Sequence, residues 1–243
     1  MFKKNKEEFD KLSNKEKKDI YDKKIKRMSK LSILFEALLL TTILIAILVI
    51  SNYFRPKKEF ITVTDLSNLP APIQKDISKT FSKKIDGYDI QIDAIASYTL
   101  SGRIVRTYDY YSPKVSELLS PKDIGIVWGD LAKDENLSKF KWDHNGGRTL
   151  YTYCYDNLWL ADKGGKEYLS SHMSHNHLIP SNYKQRNLID KLSKNDYVQI
   201  DGYLVNVTFY KDGKKTSYWD SSLVRYDKGC ELIYVTDIKW LKE

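Results

Sequence analysis

Only two cysteines, Cys154 and Cys230, occur in 243 residues, too few to define a disulfide framework. One Cys154–Cys230 bridge is open to a domain outside a membrane, where disulfides persist; two separate thiols are the expectation. The common metal signatures are missing: there is no H-E-x-x-H and no C-x-x-C. No glycine-rich nucleophile motif flanks either cysteine. No internal repeat appears, which excludes solenoids and arrays.

A uniform basic field is lacking too, although the formal net charge is +8. Residues 1–30 hold 12 basic and 6 acidic side chains, and residues 59–243 hold 25 of each sign. The excess flanks one apolar run. The large C-terminal part therefore has no global field to capture DNA or RNA, and no nucleic-acid partner is expected.

That run is "LSILFEALLLTTILIAILVISNYF", Leu31 to Phe54. Its centre, Ala37 to Ile50, carries no charge, and about 20 apolar residues cross a bilayer as a helix. Glu36 falls within the first two turns and reads as an interfacial residue. Lys23, Lys24, Lys26, Arg27 and Lys30 precede the run, while Arg55, Lys57 and Lys58 follow it. By the positive-inside rule the N-terminus is cytoplasmic and the C-terminal part outside. The expected organisation is a charged cytoplasmic segment (1–30), a signal anchor (31–54), a linker (55–69) and an extracytoplasmic domain (70–243). No small-x-small cleavage pattern follows the run, so it reads as uncleaved. The partner it implies is membrane lipid.

In the outer domain, Ile73, Ile77, Phe81 and Ile85 recur every four residues, the face of an amphipathic helix. Ser120 as cap and Pro121 at the first turn predict a second helix with Ile124, Val127, Trp128 and Leu131 on one face. "NLIDKL" predicts a third, ending near Leu192. Between the first two, "SYTLSGRIVRTYDYY" reads as a strand with Tyr98, Leu100, Ile104, Tyr108 and Tyr110 on one face; Gly102 marks a bulge or close approach. The C-terminal third reads as antiparallel strands, with Gly202 as a bulge and "KDGKK" and "DKG" as turns. Strands with a few packed helices give an α+β class: one transmembrane helix, then a mainly antiparallel β domain. The strand–bulge–strand rhythm is compatible with an OB-like, partly closed barrel.

Several motifs carry a resemblance: "SGRIV", "IGIVWGDLA", His172 to Pro180 ending in "HLIP", "GYLVNV", "SSLVR" and "CELIYV". In order and spacing they resemble a group of uncharacterised bacterial membrane-anchored envelope proteins. The resemblance implies an envelope-facing domain and supplies no activity. Its pattern expects His172 and His177, with Cys230 and Glu231 near the end. His175 stands where that pattern has another polar residue, and the turn before Cys230 is shorter here.

"SSHMSHNHLIPSN", Ser170 to Asn182, holds three of the four histidines. As metal ligands, His172, His177, Cys230 and Glu231 would suit zinc if the segment packed against the last strand. A thiol reading needs Cys230 beside a histidine. The plainer expectation is a polar loop in which His, Ser and Asn satisfy backbone groups, with Pro180, Ser181 and Asn182 turning into the next helix. No cofactor is expected on that reading. The sequence favours a non-catalytic, anchored domain that binds an envelope protein, peptide or glycan through His172, His175, His177, Asn182 and Arg225. The alternative is a metal-dependent or thiol hydrolase using His172, His177, Cys230 and Glu231.

Overall fold

The structure, a computed structural model, describes residues 13–53, 56–223 and 230–243. The chain divides into two compact units, residues 1–55 and 56–243.

The described residues of the first unit form one helix, α1 (Asn14–Tyr53). At about 1.5 Å per residue its 40 residues extend about 60 Å, twice the hydrocarbon core. Apolar side chains point outward all round its C-terminal half, from Leu38 and Leu40 to Ile47 and Val49. Such a surface suits lipid. Thr41 and Thr42 donate back to the carbonyls of Leu38 and Leu39, so neither hydroxyl is left unsatisfied. The helix is long and apolar enough to cross a membrane.

The second unit is mostly strand. Its elements are β1 (Phe60–Thr62), β2 (Ile73–Ile85), β3 (Tyr88–Asp109), α2 (Val115–Leu119), β4 (Lys122–Val127), α3 (Asp134–Leu137), β5 (Phe140–His144), β6 (Leu150–Cys154), α4 (Asn157–Asp162), α5 (Lys166–His172), β7 (Met173–Pro180), α6 (Tyr183–Asp190), β8 (Tyr197–Lys211), β9 (Lys214–Trp219) and β10 (Glu231–Lys242). Five strands form a ring: β3 pairs β4, β4 pairs β7, β7 pairs β10, β10 pairs β8, and β8 returns to β3. All these pairings are antiparallel except β7 with β10. The sheet is thus partly closed into a ring, as far as the expected strand rhythm is met. Leu100, Ile104, Ile124, Ile126, Leu178, Ile200, Ile233 and Trp240 fill its interior. The α6 helix, with Leu188 and Ile189, packs against the same core. A separate hairpin, β5–β6, pairs only with itself and packs through Phe140 onto Val105 and Val127 on the outer side of the ring.

Several sequence expectations need correction. Residues 73–85 form β2, an edge strand on β3. A four-residue spacing is two full strand periods as well as about one helical turn, so Ile77, Phe81 and Ile85 mark one face in either state. The proposed helix after Ser120 is instead β4, buried at every position, followed by a short 3-10 turn, Gly129–Ala132. A strand covered on both sides has no alternation, and its apolar run imitates a helical face. The expected polar loop around 172–182 is the end of α5 and then β7, of which Ser174 to Pro180 are buried. "NLIDKL" does lie in and just beyond α6, capped by Asn182, which accepts from the Gln185 amide at 3.1 Å.

The single face expected along β3 also breaks. A register shift between Ile104 and Arg106 inserts one extra residue, and a bulge reverses which side later residues occupy. Tyr98, Leu100 and Ile104 point into the barrel; Tyr108, registered with Asp123, lies on the outer face. Gly102 and Gly202 serve close approach: a Cβ there would lie 2.4 Å from the Val127 carbonyl oxygen and 2.3 Å from that of Tyr234. The shift near Gly202 belongs to the partner strand, between Val235 and Asp237. Lys211 and Lys214 flank the Asp212–Gly213 turn with both φ positive, as a two-residue hairpin requires.

Candidate functional site

The outer faces of β4, β7 and β10 meet under the β5–β6 hairpin. In register, Asp123 lies opposite His177 and Gly125 opposite His175. Leu232 lies beside His177 on the other side, which sets Cys230 beside His175. Strand alternation puts all of these on one face. Gly125 lets the hairpin settle: a Cβ there would meet Leu150 at 2.7 Å.

Asp123 is fully buried and stands at the middle. The Tyr110 hydroxyl donates to its Oδ2 at 2.7 Å, and Arg148 Nη1 donates to Oδ1 at 3.0 Å. Arg148 sits in the loop between β5 and β6 at φ +56°, a conformation unusual for a non-glycine residue. It also donates to the carbonyls of Ser116 and Ser120 at 2.9 Å, and its guanidinium lies between the rings of Tyr110 and Trp219. The charge of Asp123 is thus matched by a fixed cation. Ring nitrogens of three histidines complete the surround: His177 Nδ1 at 2.8 Å from Oδ1, and Nε2 of His144 and His175 at 3.4 and 3.6 Å from Oδ2. Only the His177 contact is short, and none of the three nitrogens makes a hydrogen bond of good geometry.

Burial by itself would raise the Asp123 carboxyl. The surrounding donors from His144, His175 and His177 outweigh it and hold the group far below the usual carboxylate range. Burial, then the bond to Asp123, pushes the Tyr110 phenol well above its ordinary value. For His177 burial is the larger effect and lowers its pKa, against the pull of Asp123. Cys230 is half-buried, and burial with the carboxylates of Glu231 and Asp123 lifts its thiol to about 11.

The tautomers follow from the partners. His144 Nδ1 accepts from the Gly146 amide at 3.0 Å, so its proton sits on Nε2, facing Asp123; the ring also stacks on Tyr108. His177 faces a carboxylate through Nδ1, which therefore carries the proton and leaves Nε2 with a lone pair. His175 turns Nε2 to Asp123 and Nδ1 to Cys230 Sγ at 3.3 Å.

The residues singled out in the sequence divide. His175, His177 and Cys230 come together. His172 lies apart, at the end of α5, with Nδ1 2.8 Å from the Tyr168 carbonyl oxygen and Nε2 3.7 Å from Asp130. Glu231 is registered with Asn176 and so projects from the other side of β10. Asn182 caps α6. Arg225 lies outside the described residues. Both cysteines are free thiols. No exposed patch forms along Ser174–Pro180, though Tyr183 just beyond it is exposed. Asp123, His144, Arg148 and Tyr110 were not anticipated. The available signals were a lone acid opening the buried run "DIGIV" and a His and Arg bracketing the glycine turn in "DHNGGR".

Comparison with known proteins finds no matching family, no matching curated protein and no matching solved structure.

Proposed function

We propose that this chain is a single-pass protein of the bacterial cytoplasmic membrane whose β domain lies outside and acts by binding at the Asp123 centre rather than by catalysis. The observation that carries the reading is Asp123 itself. A buried ion pair contributes little net stability compared with apolar packing of the same volume, yet this domain surrounds one carboxylate with an arginine, a tyrosine and three histidines. Such a centre is a place where polar groups are held in position, which marks functional sites. The length and apolar surface of α1 support the anchor, and the basic excess on its N-terminal side supports the orientation. The balanced charge of residues 59–243 favours an envelope protein, peptide or glycan as partner over nucleic acid.

One contact favours a second reading, a thiol hydrolase. Cys230 Sγ, His175 Nδ1 and, across the ring, His175 Nε2 and Asp123 form a chain at 3.3 and 3.6 Å, the order of a nucleophile, base and orienting acid. It ranks second for two reasons. Asp123 is already neutralised by Arg148, and Cys230 is raised rather than lowered by its surroundings, opposite to an activated thiol.

Orientation is tested by labelling in intact cells, with Cys154→Ser and Cys230→Ser as background. Tyr111 is 91% exposed; Tyr111→Cys is expected to react with a membrane-impermeant maleimide without permeabilisation, and Ser13→Cys only after it. The reverse pattern would place the β domain in the cytoplasm and end the proposal.

A further inference from the structure

We infer that the Asp123 centre is a binding site for one zinc-class divalent metal ion, held by His175 Nδ1, His177 Nε2 and Cys230 Sγ, with Asp123 as the outer carboxylate that orients both histidines. The inference deepens the binding reading above by naming the ligand.

Two overlapping groups have metal-ligand chemistry: His175, His177 and Cys230, and Asp123, His144 and His175. Within each, one donor atom per residue lies within 4.8 Å of the others. Local chemistry chooses between them. In the second group the Arg148 guanidinium, 3.0 Å from Asp123, would stand against a dication. His144 cannot offer a lone pair there, because its Nδ1 already accepts the Gly146 amide and Nε2 keeps the proton.

In the first group His177 also faces Arg148, but Asp123 is not a ligand and each ring keeps a lone pair on the nitrogen turned away from it. A metal-bound histidine commonly donates its other ring nitrogen to a carboxylate, which fixes tautomer and ring orientation. His175 and His177 both present one nitrogen to Asp123, and Arg148 bonds the same Oδ1 that His177 faces and keeps that carboxylate ionised. Each ring then has its second nitrogen for an ion. Metal–ligand lengths of about 2.0–2.3 Å put adjacent donors of a tetrahedral ion about 3.3–3.6 Å apart; His175 Nδ1 and Cys230 Sγ are at 3.3 Å. That nitrogen and sulfur are adjacent without any protein group between them.

Two imidazoles and one thiolate suit zinc and cobalt(II) and exclude magnesium and calcium, which take oxygen. On binding, the Cys230 S–H bond breaks, the sulfur electron pair goes to the metal and the proton leaves to solvent. Three protein ligands leave a fourth position for water or a partner's side chain, which is how the ion would serve recognition.

The test uses the full chain in detergent, without a histidine tag, stripped by chelator and titrated with cobalt(II). The expected result is one cobalt per chain, with the visible bands of a four-coordinate ion and a thiolate charge-transfer band in the near ultraviolet, both erased by stoichiometric zinc. Cys230→Ser should lose the charge-transfer band. His175→Ala and His177→Gln should each weaken binding at least tenfold, while His172→Ala should titrate as the parent does. Thermal unfolding of the metal-free variants identifies any that fail to fold, and the parent titration stands without them. A parent chain that takes no cobalt, or a charge-transfer band that survives Cys230→Ser in a folded variant, would overturn the site. If the Tyr111→Cys labelling still reports an outer domain, the anchored binding domain survives that loss; if the labelling fails while cobalt binds, the reverse holds.

Discussion

At Asp123 desolvation competes with pairing: His144, His175 and His177 outweigh burial, and Tyr110 and Arg148 bond the carboxylate directly. A carboxylate with no exposure would be neutralised by proton uptake if it were alone. Here two direct bonds and three imidazoles keep it charged, and Arg148 is in turn held by two backbone carbonyls and two aromatic faces. Removing one partner of such a pair costs more than the pair contributes, because the other charge is left buried. Asp123→Ala is therefore expected to destabilise the fold by about 3–5 kcal/mol, measured by denaturant unfolding. Asp123→Ala combined with Arg148→Met should recover part of that loss; strict additivity of the two single changes would show that they do not act as a pair.

Among the elements, β3 does the most to build the site. It spans Tyr88 to Asp109 and pairs with β2, β4 and β8. Its bulge after Ile104 turns Tyr108 and Tyr110 from the barrel interior to the outer face. Without that extra residue Tyr110 could not reach Asp123. β8 and β10 show the other local demand, close backbone approach. A Cβ at position 202 would lie 2.3 Å from the Tyr234 carbonyl oxygen, and backbone cannot yield as a flexible side chain can. Gly202→Ala should cost about 1–3 kcal/mol, the usual range for overpacking. Gly87→Ala is a useful control, since open space surrounds that position and only its positive φ resists the change. A smaller loss at 202 than at 87 would show that the strand approach is not the constraint.

For the whole molecule, the centre ties stability to pH. His177 is neutral in the fold and faces Asp123 on β4, His175 on β7, Arg148 from the β5–β6 loop and the Trp219 ring of β9. Its folded pKa is below the ordinary 6.5, so the unfolded chain takes up a proton that the folded chain refuses. Stability of the metal-free protein is full above that value and falls as pH drops below it, by at most about 1.4 kcal/mol per pH unit for one proton. Asp123 has the same sign in a lower window: its contribution is present above the ordinary 3.8 and is lost in stronger acid. Unfolding midpoints between pH 8 and 5 should show the first effect, and His177→Gln should flatten it. A midpoint independent of pH in that range would contradict a neutral, buried His177.

What the sequence determined by itself is local or additive. An apolar run broken only by Glu36 makes a membrane-length helix whatever follows it, net charge adds residue by residue, and Asp212–Gly213 turns because of its own backbone preferences. The α+β class was legible for the same reason, since alternation and turn chemistry recur within a few residues. Tertiary structure decided the rest. Whether Ile73 to Ile85 became helix or strand depended on β3 offering an edge, and whether Lys122 to Val127 was a buried strand depended on cover from both sides. His175 and Cys230 were each visible in the sequence, but the partners that give them meaning, Asp123, His144 and Arg148, lie tens of residues away. One inserted residue in β3 and the parallel pairing of β7 with β10 bring them together, and spacing along the chain carries no record of a contact made by strand register across a partly closed sheet.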